Sequence, residues 1–196
     1  MTEMTEGADT GAEAKKKLLF VVGSLRRDSF NRELATHAVE MVADRVDIEF
    51  LEYSDVPLMN QDIEFPAPKS VVRVREKVDA ADGVWFFSPE YNFSMTAPLK
   101  NLLDWLSRPV VAGDRESPKP LTGKPVAIAG AGGRNATAGG RKALFGLLAY
   151  LKAKPVDGDG QGFVLPPEAW SEGVYDVPSE DLARLGEQAE KLLAAL

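Results

Sequence analysis

The sequence predicts an α/β fold in which helices cover both faces of a five-stranded parallel sheet with strand order 2-1-3-4-5. Strand-like and helix-like segments alternate along the chain, and this alternation is typical of such a three-layer sandwich. The length of 196 residues suits one domain with a full hydrophobic core. We therefore expect one domain over residues 15–196, preceded by a polar, acidic segment at 1–14 that we predict to be a disordered tail.

The first half of the chain supplies three predicted strands and two predicted helices. The apolar run at 18–22 is predicted to be the first strand, and a helix with apolar residues on one side is expected at 29–43. Residues 46–53 are predicted to form the second strand, and the apolar residues 83–87 a buried central strand. A Pro-rich loop and a charged amphipathic helix at 70–81 separate these two strands.

The second half of the chain continues the alternation. A helix is expected at 97–107, the fourth strand at 125–129 and a further helix at 139–151. A short fifth strand, interrupted by acidic and glycine residues, is predicted within 154–165. An amphipathic helix at 179–196 closes the domain. Five strands and five helices in this sequence fit the strand order 2-1-3-4-5.

Charge and composition exclude several classes of function. The net charge of -7 argues against binding to nucleic acid or to an anionic membrane, because both require clustered positive charge. The sequence has no cysteine, which excludes disulfides, thiolate nucleophiles, thiolate zinc sites and cysteine-ligated iron–sulfur clusters. The one histidine, His37, lies within a predicted helix, and we interpret it as a surface or packing residue rather than a catalytic base. No metal site is expected.

The sequence also bears on location. The first 14 residues lack an apolar stretch of signal-peptide length. A run of about 18 apolar residues, which a membrane-spanning helix needs, is absent from the sequence. We therefore expect a cytoplasmic protein without a membrane partner.

The loop after the first strand has the composition of a phosphate-binding site. It leads into a helix N-terminus, where unpaired backbone N–H groups and the helix dipole favour an anion. Ser24, Arg26, Ser29 and the amide of Asn31 would complete a set of donors around a phosphate monoester. The Walker A and dinucleotide-binding glycine patterns are absent, so a nucleotide-triphosphatase is not indicated. The same residues also fit a surface helix that Ser29 merely caps.

The loops after strands 3 and 4 are predicted to lie beside this one. Ligands of open α/β sheets bind beyond the carboxyl ends of the strands, where the strand order reverses. In the loop after strand 3, Pro89 stiffens the turn, Tyr91 and Phe93 offer flat apolar surface, and Asn92 offers a donor and an acceptor. A planar, hydrogen-bonding ring is the expected occupant.

Two other interpretations of these loops stay open. Glu90 also fits a solvated carboxylate, with Tyr91 as a cap on the core. The glycine-rich loop after strand 4, residues 130–135, also fits a flexible turn between strand and helix. The residue types alone do not decide between these roles and contact with a ligand.

Two long motifs give the chain a family resemblance. Gly23-Ser24-Leu25-Arg26 with Ser29-Phe30-Asn31 is the first, and Pro89-Glu90-Tyr91-Asn92 with Leu99-Lys100-Asn101 and Asp104-Trp105 is the second. In this order and spacing they resemble the NADPH-dependent FMN reductase family, which comprises flavodoxin-like quinone and chromate reductases. The resemblance implies a flavodoxin-like fold with FMN as cofactor.

The resemblance also implies which residues would hold the flavin. The FMN phosphate falls to Ser24, Arg26, Ser29, the backbone of Phe30, and Asn31. The ribityl chain and the isoalloxazine ring fall to Pro89, Glu90, Tyr91 and Asn92, with Phe93 beside them. The loop at 130–135 would close the far side of the flavin, with Ala131, Gly132 and Gly133 as its cofactor-binding residues.

The chain departs from the family pattern near this site. Phe93 stands where family members often carry a second tyrosine, whose hydroxyl joins an intersubunit hydrogen-bond network near the flavin. Arg141 falls where such relatives carry a partner arginine of that network. Because Phe93 has no hydroxyl, the preferred acceptor and the assembly of a tetramer stay open for this chain.

The resemblance implies a homodimer or homotetramer. The helix at 97–107 and the polar loop at 109–121 are the predicted interface, since Trp105 and Leu106 would otherwise expose an apolar patch. An interface or structural role is also expected for most of the other motif residues on this helix, which are Lys100, Asn101 and Asp104.

The function implied by the resemblance is that of an FMN-dependent NAD(P)H oxidoreductase. Bound FMN would take hydride from NADPH or NADH and pass electrons to a small-molecule acceptor in a ping-pong mechanism, which requires no catalytic side chain. Quinones, flavins, azo compounds and chromate are acceptors known in such families. Arg108, Arg134 and Arg141 are candidates to meet the phosphates of the pyridine nucleotide.

Two alternatives to this function stay open. The first is a flavodoxin-type electron carrier that binds FMN without a site for NAD(P)H. The second is a relative that has lost flavin and acts as a binding or regulatory protein, although the intact loop after strand 1 argues against it.

Overall fold

The computed structural model describes residues 14–196, so all but the last residue of the predicted N-terminal tail lies outside the described part. Within that part, a parallel sheet has the strand order β2-β1-β3-β4-β5, and β6 also pairs with β4. The strands are β1 Lys16–Val22, β2 Val46–Phe50, β3 Gly83–Phe87, β4 Pro125–Gly132, β5 Lys154–Pro155 and β6 Gln161–Val164. The predicted order 2-1-3-4-5 is therefore confirmed.

The helices lie between the strands as the sequence predicts, with one addition. They are α1 Phe30–Val42, α2 Lys69–Ala80, α3 Ala97–Leu106, α4 Ala138–Tyr150, α5 Pro167–Glu172 and α6 Ser179–Leu193, together with a 3-10 turn at Gln61–Ile63. The short α5 was not predicted, because two prolines and only six residues leave no helical periodicity to detect. None of the helices in the described residues is long and apolar enough to cross a membrane.

The predicted fifth strand consists of two pieces, β5 and β6, that both pair with β4. Between them the chain leaves the sheet and returns at Gly160, whose φ of +79° lies in the left-handed region. A Cβ at this position would collide with the backbone carbonyl of Ile128 in β4. The acidic, glycine-containing interruption in the sequence is therefore a detour that requires glycine.

The core has two halves, one on each face of the sheet. Successive residues of β3 alternate between them, so that Trp85 and Phe87 face α1 and α6 while Val84 and Phe86 face α2, α3 and α4. On the α1 side, the indole N–H of Trp85 donates to the side-chain carbonyl of Gln188 at 3.0 Å. All five residues of β3 are buried, as expected for the central strand of a parallel sheet.

Helix α3 anchors the Pro-rich loop that follows β2. The indole N–H of Trp105 donates to the carbonyl of Pro57 at 2.8 Å, and the side chain of Asn101 accepts from the backbone N–H of Met59 at 2.8 Å. Both Trp105 and Leu106 are fully buried within the chain. We expected a subunit interface on this helix because Trp105 and Leu106 would otherwise expose an apolar patch. That reason is wrong, because this loop and the core already cover both side chains.

Candidate functional site

The carboxyl ends of β1, β3 and β4 lie at one edge of the sheet, where the strand order reverses. Their loops line an open cavity of about 600 Å³, a volume that includes the solvent at its mouth. The cavity is lined by Ser24, Arg26, Ser29, Phe30, Asn31, Pro89, Glu90, Tyr91, Ala131, Gly132, Gly133, Asn135, Leu165 and Trp170. All of the predicted site residues except Asn92 and Phe93 are among them.

One part of the cavity, residues 24–31, is called the donor end here because it presents hydrogen-bond donors. It lies at the start of α1, where within residues 14–196 no protein atom accepts from the backbone N–H of Phe30 or Asn31. The Ser29 hydroxyl oxygen accepts from the N–H of Arg32 at the long distance of 3.4 Å. Since this contact uses a lone pair, the hydroxyl hydrogen of Ser29 stays available. Capping the helix and donating to an anion are therefore compatible.

Asn31 joins the donor end to β4. Its side-chain amide donates to the carbonyl of Ala131 and accepts from the N–H of Ala131, both at 2.9 Å, across 100 residues of sequence. The side chain is buried, so the pair fixes the start of α1 against the end of β4. One amide hydrogen of Asn31 is therefore committed to Ala131, while its second amide hydrogen and its backbone N–H have no acceptor within residues 14–196.

Arg26 folds back over the donor end. Its guanidinium lies 4.6 Å from the centre of the Phe30 ring, an arrangement that a cation–π interaction favours. Its Nε also donates to the carbonyl of Asp28 at 2.6 Å. The side chain of Asp28 is exposed to solvent. The loop thus places a cation beside the free N–H groups and leaves the neighbouring carboxylate exposed.

The opposite part of the cavity is called the hairpin end; it comprises residues 89–94 and the facing residues 133–140. Tyr91 and Ser94 exchange backbone hydrogen bonds of 3.0 and 3.1 Å around Asn92 and Phe93. Both central residues have positive φ, +51° and +63°, which places them in a tight two-residue turn. The Phe93 side chain is 81% exposed and lies off the cavity wall. A phenylalanine in this backbone conformation is strained, because its Cβ crowds the neighbouring carbonyl.

Glu90 holds the two halves of the hairpin end together. One carboxylate oxygen accepts from the Asn135 side chain at 2.7 Å, and the other accepts from the backbone N–H of Gly140 at 2.8 Å. Gly140 lies in the first turn of α4, where Thr137 has a φ of +58° and its side chain makes no capping hydrogen bond within the described residues. Glu90 therefore acts as the cap of α4, and the interpretation of Glu90 as a solvated carboxylate is wrong.

The close contact at the hairpin end depends on two glycines. A Cβ on Gly139 would lie 2.9 Å from the carbonyl oxygen of Phe93, and one on Gly140 would lie 3.1 Å from that of Ser94. The start of α4 therefore packs directly on the backbone of the turn. This contact explains why Gly139 and Gly140 stand side by side at the beginning of a helix, where glycine is otherwise unfavourable.

Two of the three arginines proposed for the pyridine nucleotide are committed elsewhere. Arg108 donates two hydrogen bonds, of 2.8 and 2.9 Å, to the carboxylate of Glu64, and this pairing lowers the pKa of Glu64. Arg141 donates to the carbonyl of Gly160 at 2.6 Å, and burial lowers the pKa of its guanidinium. Arg134 is exposed, and its guanidinium has neither a hydrogen bond nor an ion pair within residues 14–196. Of these three arginines, Arg134 alone has a guanidinium that is still available to bind a phosphate of the pyridine nucleotide.

Leu165 and Trp170 line the cavity but were not predicted. They follow β6, which pairs with β4, so the end of a fourth strand also reaches the same edge of the sheet. The sequence signal that could have identified Trp170 is an aromatic residue shortly after a predicted strand and after the two prolines Pro166 and Pro167. His37 does not line the cavity and lies on α1 with its Nδ1 3.6 Å from Glu40.

Comparison with known proteins gives the family. Residues 16–161 match the model of the NADPH-dependent FMN reductase family. An NAD(P)H-dependent FMN reductase from Pseudomonas aeruginosa is 39% identical over 143 residues, which are 72% of this chain and 74% of that protein. A 2-hydroxy-1,4-benzoquinone reductase from a Burkholderia species is 38% identical over 136 residues, 69% of this chain and 71% of that protein.

A solved structure shows the same architecture. The flavoenzyme NAD(P)H:(acceptor) oxidoreductase FerB from Paracoccus denitrificans superposes with a TM-score of 0.78 and 26% identity, over 91% of this chain and 96% of that one. The strand order and this match confirm the predicted flavodoxin-like fold. This chain therefore belongs to the NADPH-dependent FMN reductase family.

Proposed function

We propose that this protein is an FMN-dependent NAD(P)H oxidoreductase that reduces small-molecule acceptors, quinones and flavins first among them. The main support for the proposal is the cavity at the point where the strand order reverses. One end of this cavity presents hydrogen-bond donors that are free to bind an anion, and the other end is formed by the hairpin. The relatives described as FMN reductase and benzoquinone reductase support the choice of chemistry.

The donor end fits the phosphate of FMN. Two free backbone N–H groups, the hydroxyl hydrogens of Ser24 and Ser29, and the guanidinium of Arg26 are all donors. A dianion at the start of α1 would also be stabilised by the helix dipole. We assign the phosphate to this set, with Asn31 contributing through its backbone N–H.

The rest of the cavity fits the ribityl chain and the planar ring. Pro89, Glu90 and Tyr91 line one side, and the backbone of Ala131, Gly132 and Gly133 lines the other. Within residues 14–196, no heavy atom lies within 4 Å of the place that a Cβ on Gly133 would occupy, so the backbone there is accessible to a ring. We therefore assign the flavin ring to these two segments, with Asn92 and Phe93 acting through the shape of their turn.

The protein's own contribution to the reaction is binding and orientation. When bound, FMN would supply the hydride and electron transfer between NAD(P)H and the acceptor. The donor end would hold the phosphate. The hydrogen bonds of Glu90 to Asn135 and Gly140 would keep the loop after β3 at a fixed distance from the loop after β4. The open mouth of the cavity would admit the pyridine nucleotide and the acceptor in turn, which gives ping-pong kinetics. Azo compounds and chromate are further candidate acceptors.

We also propose that the protein assembles as a homodimer or homotetramer in the cytoplasm. The exposed Tyr91 and Phe93, which are 56% and 81% exposed, support an assembly that covers the mouth of the cavity. Because Phe93 has no hydroxyl, such an interface would be apolar at this point. Light scattering at micromolar concentration tests it, and a monomer would contradict this part of the proposal.

The visible spectrum of the purified protein, before and after anaerobic addition of NADPH or NADH, tests the function. We expect a yellow protein whose flavin absorbance bleaches with the preferred donor and recovers when a quinone is added. A protein that binds FMN but is bleached only by a reduced protein donor would instead be an electron carrier. A colourless protein that does not quench the fluorescence of added FMN would overturn the proposal.

A further inference from the structure

Trp170 lies at the cavity in a position that the family match does not cover. The matched segment ends at residue 161, and α5 follows it. Pro166 and Pro167 set the start of α5, and Ala169 is buried in the core, so the helix is firmly placed. Yet the Trp170 side chain is 59% exposed and lines the cavity. A large aromatic side chain that lines a cavity with more than half of its surface exposed is available to contact a ligand there.

The neighbours of Trp170 place it at the donor end. Its ring lies 5.5 Å from the ring of Phe30 at an interplanar angle of 82°, an edge-to-face contact. The Phe30 ring also lies 4.6 Å from the guanidinium of Arg26. Arg26, Phe30 and Trp170 therefore form a continuous stack along the rim of the cavity, called the rim stack here. Phe30 is the first residue of α1, directly at the free N–H groups.

We propose that Trp170 is a further FMN-binding residue of this chain, which closes the phosphate end of the site and holds Arg26 in place through Phe30. This inference rests on the proposed function. The indole would shield the phosphate from water on its outer side, which strengthens the hydrogen bonds to the free N–H groups. It would also limit the orientations of the Phe30 ring that supports the guanidinium.

The role at the phosphate end separates this proposal from simple stacking on the flavin ring. Riboflavin has the same ring and ribityl chain as FMN but no phosphate. A residue that acts on the phosphate affects the binding of FMN alone, whereas a residue that stacks on the ring affects both flavins equally. The two ligands therefore report on different ends of the cavity.

The test is a titration of the full-length apoprotein with FMN and with riboflavin, followed by quenching of flavin fluorescence. We expect Trp170→Ala to weaken FMN binding by about three- to tenfold and riboflavin binding by less than about twofold. Trp170→Phe, which keeps the edge-to-face contact, should stay within about twofold of the wild type for FMN. Tyr150→Ala is the matched control, because Tyr150 is exposed but lines a different part of the surface.

A double-mutant cycle tests the link to Arg26. If the rim stack orients the guanidinium, the loss of FMN affinity caused by Arg26→Gln should be smaller in the Trp170→Ala background than in the wild type. Circular dichroism melting of each variant shows that it is folded, and Trp170→Phe supplies a second variant if the alanine variant unfolds.

The possible outcomes separate the two proposals. Equal losses for FMN and riboflavin, no loss for either, or independent effects of the two substitutions would overturn the role of Trp170. A wild-type protein that binds neither flavin would overturn the proposed function, and this inference with it. If the wild-type protein binds FMN and the Trp170→Ala variant binds it with the same affinity, the proposed function stands and only the role of Trp170 is rejected.

Discussion

The two ends of the cavity use their polar groups in different ways. At the donor end, the backbone N–H groups of Phe30 and Asn31 have no acceptor within the described residues. At the hairpin end, both oxygens of Glu90 are paired, and they join the turn to Asn135 and to Gly140 of α4. The first end leaves hydrogen-bond donors open, whereas the second uses its hydrogen bonds to hold its own shape.

The difference in backbone strain follows the same division. Asn92 and Phe93 in the turn and Ala136 and Thr137 opposite it all have positive φ, while no residue of 24–31 does. Strain of this kind persists only where the surrounding contacts enforce it. We infer that the hairpin end is preformed and selects its ligand by shape, and that an anion completes the hydrogen bonds of the donor end.

Ser29→Asp should have the largest effect, because it puts a negative charge at the donor end. Aspartate is as good a helix N-cap as serine, so the fold is retained. Repulsion of the phosphate should weaken FMN binding by about 100-fold, while riboflavin binding is nearly unchanged. Titration of the apoprotein with both flavins measures this difference.

The control for this charge is Thr36→Asp, an exposed position on the same helix. It adds the same charge about two helical turns further along α1 than Ser29, outside the cavity that holds the free N–H groups. If both variants weaken FMN binding equally, the change in the net charge of the protein is responsible. The assignment of the phosphate to the donor end would then be wrong.

Glu90→Ala should affect both flavins alike, because it loosens the hairpin end. Loss of the two hydrogen bonds should lower the free energy of unfolding by about 1–2 kcal/mol. It should also weaken the binding of FMN and the binding of riboflavin by a similar factor, about three to ten. Urea denaturation and flavin titration measure the two effects. Glu76→Ala, which removes an exposed carboxylate on α2, is the control. A loss confined to FMN would contradict the division between the ends.

Phe93→Gly should stabilise the protein, because glycine adopts positive φ without strain. We expect the free energy of unfolding to rise by about 1 kcal/mol and the melting temperature by about 2–4 °C. The control is Leu58→Gly, since Leu58 is also 81% exposed but has no positive φ, and this variant should be less stable. A destabilised Phe93→Gly would show that the ring makes contacts that outweigh the strain.

Arg134→Ala should have the smallest effect, since it changes a solvent-exposed charge between Gly133 and Asn135 of the cavity wall. We expect the KM for NADPH to rise by about twofold at low salt, with FMN affinity unaltered. Steady-state NADPH oxidation with a quinone at low and high salt measures this. A difference that persists at high salt would indicate a direct contact rather than long-range attraction.

The sequence predicted the strands and the residues of the cavity wall well, because both have local signals. The roles of several polar residues were not predictable in the same way. Trp105 pairs with Pro57, and Arg108 with Glu64, across more than 40 residues, and nothing in the local pattern of α3 indicates either partner. The same holds for Arg141, which binds carbonyl groups of the segment between β5 and β6.

The sequence by itself determined the parallel sheet, the order of its elements and the loop with an anion-binding composition. These follow from hydrophobic periodicity and from residue types that act within a few positions of one another. Only the tertiary structure decided that Asn31 pairs with Ala131, that Glu90 caps α4 and that Trp170 joins the cavity. Such contacts form only when the folded sheet brings the ends of distant strands to one edge. The residues that make them are far apart in the sequence, so no local sequence pattern indicates which residues will pair.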